Sequence, residues 1–188
     1  MSASGAYAHY QFTVADYHRM LETGVLNKDS RVELLNGEII KMSPIGSRHA
    51  GKLKRLRKLL GQKLDPDIVI GVQDPIQLDD RSEPQPDLSI LKPREDFYES
   101  ANPLADDVLF VIEVADSPVV FDREIKMPLY ARAGVAEVWL VDLKKDRIEV
   151  HAKPHDGAFR EVRIAQRGQQ IISTTIPELM LNADEILG

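Results

Sequence analysis

Three residues of this 188-residue chain have types and settings that could do chemistry together: Asp87, Glu113 and Lys126. Glu113 sits near the end of Val108-Leu-Phe-Val-Ile-Glu-Val, a run apolar on both alternating faces. Such a run reads as a strand covered on both sides. A carboxylate there is costly unless it is paired, hydrogen-bonded or bound to a metal. A rim residue closing a salt bridge is the plain account. A functional one is favoured because sites gather at strand C-termini in α/β sheets. Asp87 follows Glu83-Pro-Gln-Pro and directly precedes the apolar Leu88-Ser-Ile. Alone it is a turn residue; beside Glu113 on a neighbouring strand it becomes half of a carboxylate cluster. Two hard oxygen ligands with room for water suit Mg²⁺ or Mn²⁺. Zinc fits less well, since the chain has no cysteine and no HExxH spacing.

The cation and the accessory groups are weaker readings. Asp122 lies four residues before Lys126, on the same helical face, so an ordinary surface ion pair would account for both. Glu33 could simply pair with Arg31, and His49 could be a helix-start residue.

The elements that must position these groups follow from local pattern. Residues 13–24 read as a helix, with Thr13 as N-cap, Asp16 in the capping-box position and Gly24 as the stop. Asn36-Gly37 between apolar runs predicts a hairpin with strands at 31–35 and 38–42. Leucines at 53, 56, 59, 60 and 64 predict a helix over 47–64, whose other faces carry Lys and Arg. That basic surface is either a solvated face or a phosphate-contacting one. Extended segments are expected at 68–72, 75–78, 88–91 and 108–114. A helix over 122–133 should end at Gly134 and be kinked by Pro128. Strands are then expected at 137–141, 147–152, 159–165 and 170–173.

Composition bounds the rest. Length suits one domain, read as residues 1–188, and no linker or repeat breaks it. No apolar run approaches the ~20 residues of a membrane helix. The N-terminus does not read as a secretion signal. With no cysteines, a cytoplasmic setting is expected. Net charge is −6, which argues against a protein that coats duplex DNA through a basic surface overall. Nucleic acid would have to be met by a local patch.

The stretch from Glu113 through Asp122, Lys126, Tyr130 and Gly134 to Trp139 resembles the Uma2 family of putative restriction endonucleases. The family pattern there is EV, a Ser-rich turn, D, K and Y at helical spacing, then a Gly and a Trp-containing strand. Upstream, Glu33-Leu-Leu-Asn-Gly-Glu matches its ELxxGE hairpin, Ser43-Pro44 with His49 its SPxxxxH segment, and Pro86-Asp87-Leu its PDL motif. The ordered set covers residues 12–181. The resemblance implies an α/β (α+β) fold: a restriction-endonuclease-like mixed β-sheet core flanked by helices, with an antiparallel C-terminal strand extension. It also implies a variant PD-(D/E)xK site in a metal-dependent endonuclease, acting on nucleic acid, DNA by expectation, as a homodimer. Asp87 and Glu113 would be the metal carboxylates and the Val114 carbonyl a third oxygen. Ala115 stands where the usual lysine would be, so Lys126 inherits that role, with Glu33 and His49 at the same cleft. Two rivals remain: a catalytically silent nuclease fold that binds nucleic acid or a protein partner, and an enzyme of small phosphorylated molecules. No P-loop or Gly-rich dinucleotide fingerprint supports the second.

Overall fold

The protein's structure is a computed structural model, and it describes residues 9–27, 30–116 and 121–188. The Ser-rich turn of the motif after Glu113 falls at 117–120, outside the described residues.

Helix α1 (Val14–Glu22) begins at Thr13 with both halves of the expected capping box, and Gly24 follows its end at φ +75°. Strands β1 (Val32–Leu35) and β2 (Glu38–Lys41) form the expected hairpin. Asn36 and Gly37 both adopt positive φ, as a tight two-residue hairpin turn requires. Gly37 is also needed for space, because a Cβ there would lie 2.7 Å from Gln11 Cβ. Helix α2 (Ser47–Lys63) buries Leu53, Leu56 and Leu60.

The central sheet has six strands: β3 (Val69–Gly71), β4 (Leu88–Leu91), β5 (Val108–Ala115), β6 (Glu137–Asp142), β7 (Arg147–His155) and β8 (Ala158–Gln166), in that spatial order. Only β5 and β6 run parallel; every other pairing is antiparallel. The parallel pair needs a crossover, and helix α3 (Met127–Arg132) lies in it. A two-stranded sheet of β9 (Gln170–Ile172) and β10 (Met180–Asn182) and helix α4 (Ala183–Leu187) complete the chain.

Two apolar layers sandwich the sheet. One joins α2 and α4 to Leu88, Ile112, Trp139 and Val150, with Phe110 stacked on Trp139 at 4.9 Å. The other joins α3 to Val111, Ala115, Val138 and Leu140. β5 and β6 are buried on both faces, which is why their sequences read as continuous apolar runs.

Two local expectations are corrected. Residues 75–78 join no sheet: Ile76 N–H donates to the Pro84 carbonyl, Gln77 to Pro103 and Leu78 to Ser82, so loop segments take the bonds a strand would take. The expected helix over 122–133 is not α-helical throughout. Asp122–Lys126 is a π-helical turn, whose last bond runs from Met127 N–H back to the Asp122 carbonyl, and α3 follows. Pro128, which lacks an N–H, falls in the first turn of α3, at the changeover. β10 and α4 lie beyond the segments that local pattern assigns. They are three and five residues long, too short for periodicity, although the Asn182/Glu185 capping box was readable.

Candidate active site

Strand register brings the two carboxylates together. In the β4–β5 ladder Leu88 faces Ile112 and Ser89 faces Val111, so one step further Asp87 comes opposite Glu113. The Asp87 N–H points at Glu113 Oε2, 3.4 Å away. Asp87 lies just before β4, and its side chain turns back onto the β5 backbone. Asp87 Oδ2 accepts from Val114 N–H at 2.8 Å. Its other oxygen is bonded to His49 Nε2 at 2.8 Å and accepts from Gln73 Nε2 at 3.2 Å.

The π-helical turn aims the cation. Lys126 Nζ lies 3.3 Å from Glu113 Oε1 and 3.2 Å from Glu33 Oε2. Among the described residues these are its ion-pair partners; Asp122, the partner expected from helical spacing, is not one of them. Glu33, on the hairpin, pairs with this lysine rather than with Arg31, and its Oε2 also accepts from Gln85 N–H at 3.1 Å. Tyr130, four residues past Lys126, donates its hydroxyl to Glu113 Oε1 at 2.7 Å. Single π-turns inside α-helices recur at functional sites because the extra residue re-aims side chains.

These groups line one open cleft of ≈ 580 Å³ between the hairpin, the start of α2 and the ends of β4 and β5. Glu33, His49, Asp87, Glu113, Val114 and Lys126, the residues singled out in the sequence, all border it. Ala115 borders it too; two residues after Glu113, it shares that residue's side of β5. Its methyl group packs in the α3 layer, and the cation comes from Lys126.

The electrostatics are those of charges taken out of water. Glu113 is 3% exposed, and burial raises its carboxyl to about 8, against the opposing pull of Lys126. Burial works against the Lys126 charge, but Glu113, Glu33, Asp122 and Asp87 outweigh it and hold the ammonium above its ordinary value. His49 is raised chiefly by its hydrogen bond to Asp87. Asp122 is raised by burial, with Lys126 opposing. The Tyr130 hydroxyl is pushed well up by burial and by Glu113, so it stays a donor.

Gln73, Gln85 and Tyr130 support the site without having been singled out as site residues. Tyr130 had a signal, its four-residue spacing from Lys126. The glutamines had none, since they act from loops whose course no periodicity reveals.

The profile of the family described as Uma2, "Putative restriction endonuclease", matches residues 14–184. The chain belongs to the Uma2 family. It is also similar to a solved structure, the crystal structure of a "putative nuclease belonging to DUF820" from Anabaena variabilis ATCC 29413. The TM-score is 0.74 at 16% identity, over 94% of this chain and 97% of that one. At that identity the likeness establishes the fold: a mixed six-stranded sheet flanked by helices. No match is found among curated proteins.

A hard cation is the group that the Asp87 and Glu113 sequence motifs imply for this cleft. Among the described residues no three His, Asp or Glu side chains are arranged as a ready cage. Two carboxylates do stand at facing register positions, and one of them, Glu113, is so desolvated that its proton affinity is raised. A buried carboxylate of that kind calls for positive charge. Two carboxylates with the remaining positions left to water or phosphate is how Mg²⁺ is commonly held. The residues present therefore offer such an ion two carboxylates, each of which now accepts hydrogen bonds from the protein.

Proposed function

We propose that this Uma2 protein is a metal-dependent endonuclease that hydrolyses nucleic-acid phosphodiester bonds, with DNA as its substrate. The observation that carries this reading is Lys126 Nζ set 3.3 Å from Glu113 Oε1, with Asp87 one cross-strand position away, all in an open cleft. Asp87 and Glu113, with the Val114 carbonyl, would hold Mg²⁺ or Mn²⁺. Such an ion, when bound, supplies Lewis acidity to a phosphate oxygen and lowers the pKa of a bound water.

The chain's own groups do the rest. Lys126, itself buried, keeps its charge and so stabilises negative charge building on the phosphate. Its position is fixed by Glu33, which Gln85 in turn holds in place. Tyr130 fixes the rotamer of Glu113. His49, on Asp87 and half-buried at the cleft, is placed to move a proton. The test is conversion of supercoiled plasmid to nicked or linear forms on adding Mg²⁺ or Mn²⁺. Intact plasmid at millimolar metal and micromolar protein would favour the silent, binding-only reading.

We also propose that the protein works as a homodimer, since two clefts related by a two-fold axis can address both strands of a duplex. Light scattering should return a dimer mass; a monomer mass across a wide concentration range refutes it.

A further inference from the structure

Helix α2 carries Arg48, Lys52, Lys54, Arg55, Arg57, Lys58 and Lys63, and no acidic residue, in a protein of net charge −6. Arg48 pairs with Asp116 at 2.9 Å. Among the described residues none of the other six makes an ion pair. Lys54, Arg55, Arg57 and Lys58 are exposed. The concentration is close enough to be self-repelling: Lys52 is held below its ordinary value by burial, then by Arg55, Arg167 and Arg48. A surface that only needed solvation would be cheaper with mixed signs, because like charges at helical spacing destabilise the helix. The arrangement calls for a polyanion.

Position and composition say which one. The helix begins at the cleft, where Gly46 and His49 are part of the lining, and runs away from it for ~25 Å at 1.5 Å per residue. A surface-binding helix on a lipid bilayer needs a free apolar face. Here Leu53, Leu56 and Leu60 are buried in the core, so that face is already used. A single strand is gripped by stacking its bases on aromatic rings. The exposed face of α2 offers no Phe, Tyr or Trp. Backbone phosphates of a duplex need neither.

We infer that the exposed face of α2 is a docking track for the phosphate backbone of double-stranded nucleic acid, delivering a duplex to the cleft where the helix begins. For the cleft's chemistry the inference rests on the nuclease reading; as a binding surface it can be tested without it. The track is sequence-blind, since phosphate contacts position a duplex and carry no base information. It also makes binding salt-dependent, with log K falling by about 0.9 per phosphate neutralised for each tenfold rise in salt.

The experiment is fluorescence anisotropy in EDTA with a labelled 20-base-pair DNA duplex, the matching single strand, and phosphatidylserine vesicles. It compares wild type with Arg55→Glu/Lys58→Glu. Lys153→Glu/Arg160→Glu, on the far β7–β8 hairpin, makes the same change in net charge. The expected result is duplex binding by wild type at low salt, tighter than to the single strand. The α2 variant should bind at least tenfold more weakly, with a salt slope shallower by about two. The control should stay within about twofold of wild type. Duplex affinity unchanged in the α2 variant, equal loss in the control, tighter binding of the single strand, preference for vesicles, or no duplex binding at all would each overturn it. Because no metal is present, failure of plasmid cleavage would sink the nuclease reading and leave this result standing.

Discussion

Replacing Lys126 by Met should cost the metal-free protein about 3–5 kcal/mol, the usual effect of removing one partner from a buried ion pair. Lys126 is 6% exposed and lies between Glu33 and Glu113, which are 2% and 3% exposed. Without it, two buried carboxylates face each other. The pH dependence follows from Glu113, whose folded value, already raised to about 8, should go higher once its cation is gone. A carboxyl with a raised folded value gives stability that is complete below its unfolded value of about 4.3 and is lost as pH rises through the folded one. The variant should therefore stand closest to wild type near pH 4 and fall furthest behind above pH 8. Urea unfolding at the two pH values measures this. A variant as stable as wild type at pH 8 would mean that Lys126 does not hold the carboxylates together.

The second large effect is a stability response to metal that depends on Asp87 and Glu113. An ion that binds only the folded state adds RT ln(1 + [L]/Kd), about 2.7 kcal/mol at a hundredfold excess over Kd. Repulsion among Glu33, Asp87 and Glu113 does not go unanswered in the metal-free protein, because Lys126 and His49 already lie against these carboxylates. Metal must compete with them, which raises Kd, so the response should appear only at high free-ion levels. Asp87→Asn and Glu113→Gln should abolish it. They should not stabilise the apo protein, since each sets an amide NH₂ where an oxygen now accepts. Asp87 takes bonds from Val114, His49 and Gln73, and Glu113 from Lys126, Tyr130 and the Asp87 N–H. Each variant should lose about 1–3 kcal/mol in EDTA. Thermal melts of the three proteins, with EDTA and with millimolar Mg²⁺ or Mn²⁺, check both parts. Equal metal shifts in all three would place any ion elsewhere.

Much of this arrangement was legible because it rests on local rules. Thr13 and Asp16 announce a capped helix, Asn36-Gly37 a hairpin turn, and the run at 108–114 a strand buried on both faces. The strand order was not legible, since nothing in 137–141 says that it pairs parallel to 111–115. The plain account of Lys126, a surface pair with Asp122, is set aside by the structure for a definite reason. Spacing of four suggested Asp122, but that count assumes α-helical winding, and the chain winds as a π-turn over 122–126. Proximity in sequence offers Glu33 a plain pairing with Arg31 and the family motif an accessory place at the cleft; the fold brings it Lys126 from 93 positions away.

The most direct measurement is cleavage of supercoiled plasmid by wild type, Asp87→Asn and Glu113→Gln in Mg²⁺, Mn²⁺ and EDTA. The account predicts nicking by wild type in either metal and none in EDTA. Each variant should be slower by at least about 10²–10³, the scale lost when one electrostatic stabiliser is removed from a site. Cleavage that persists undiminished in both variants, or that proceeds in EDTA, would contradict it.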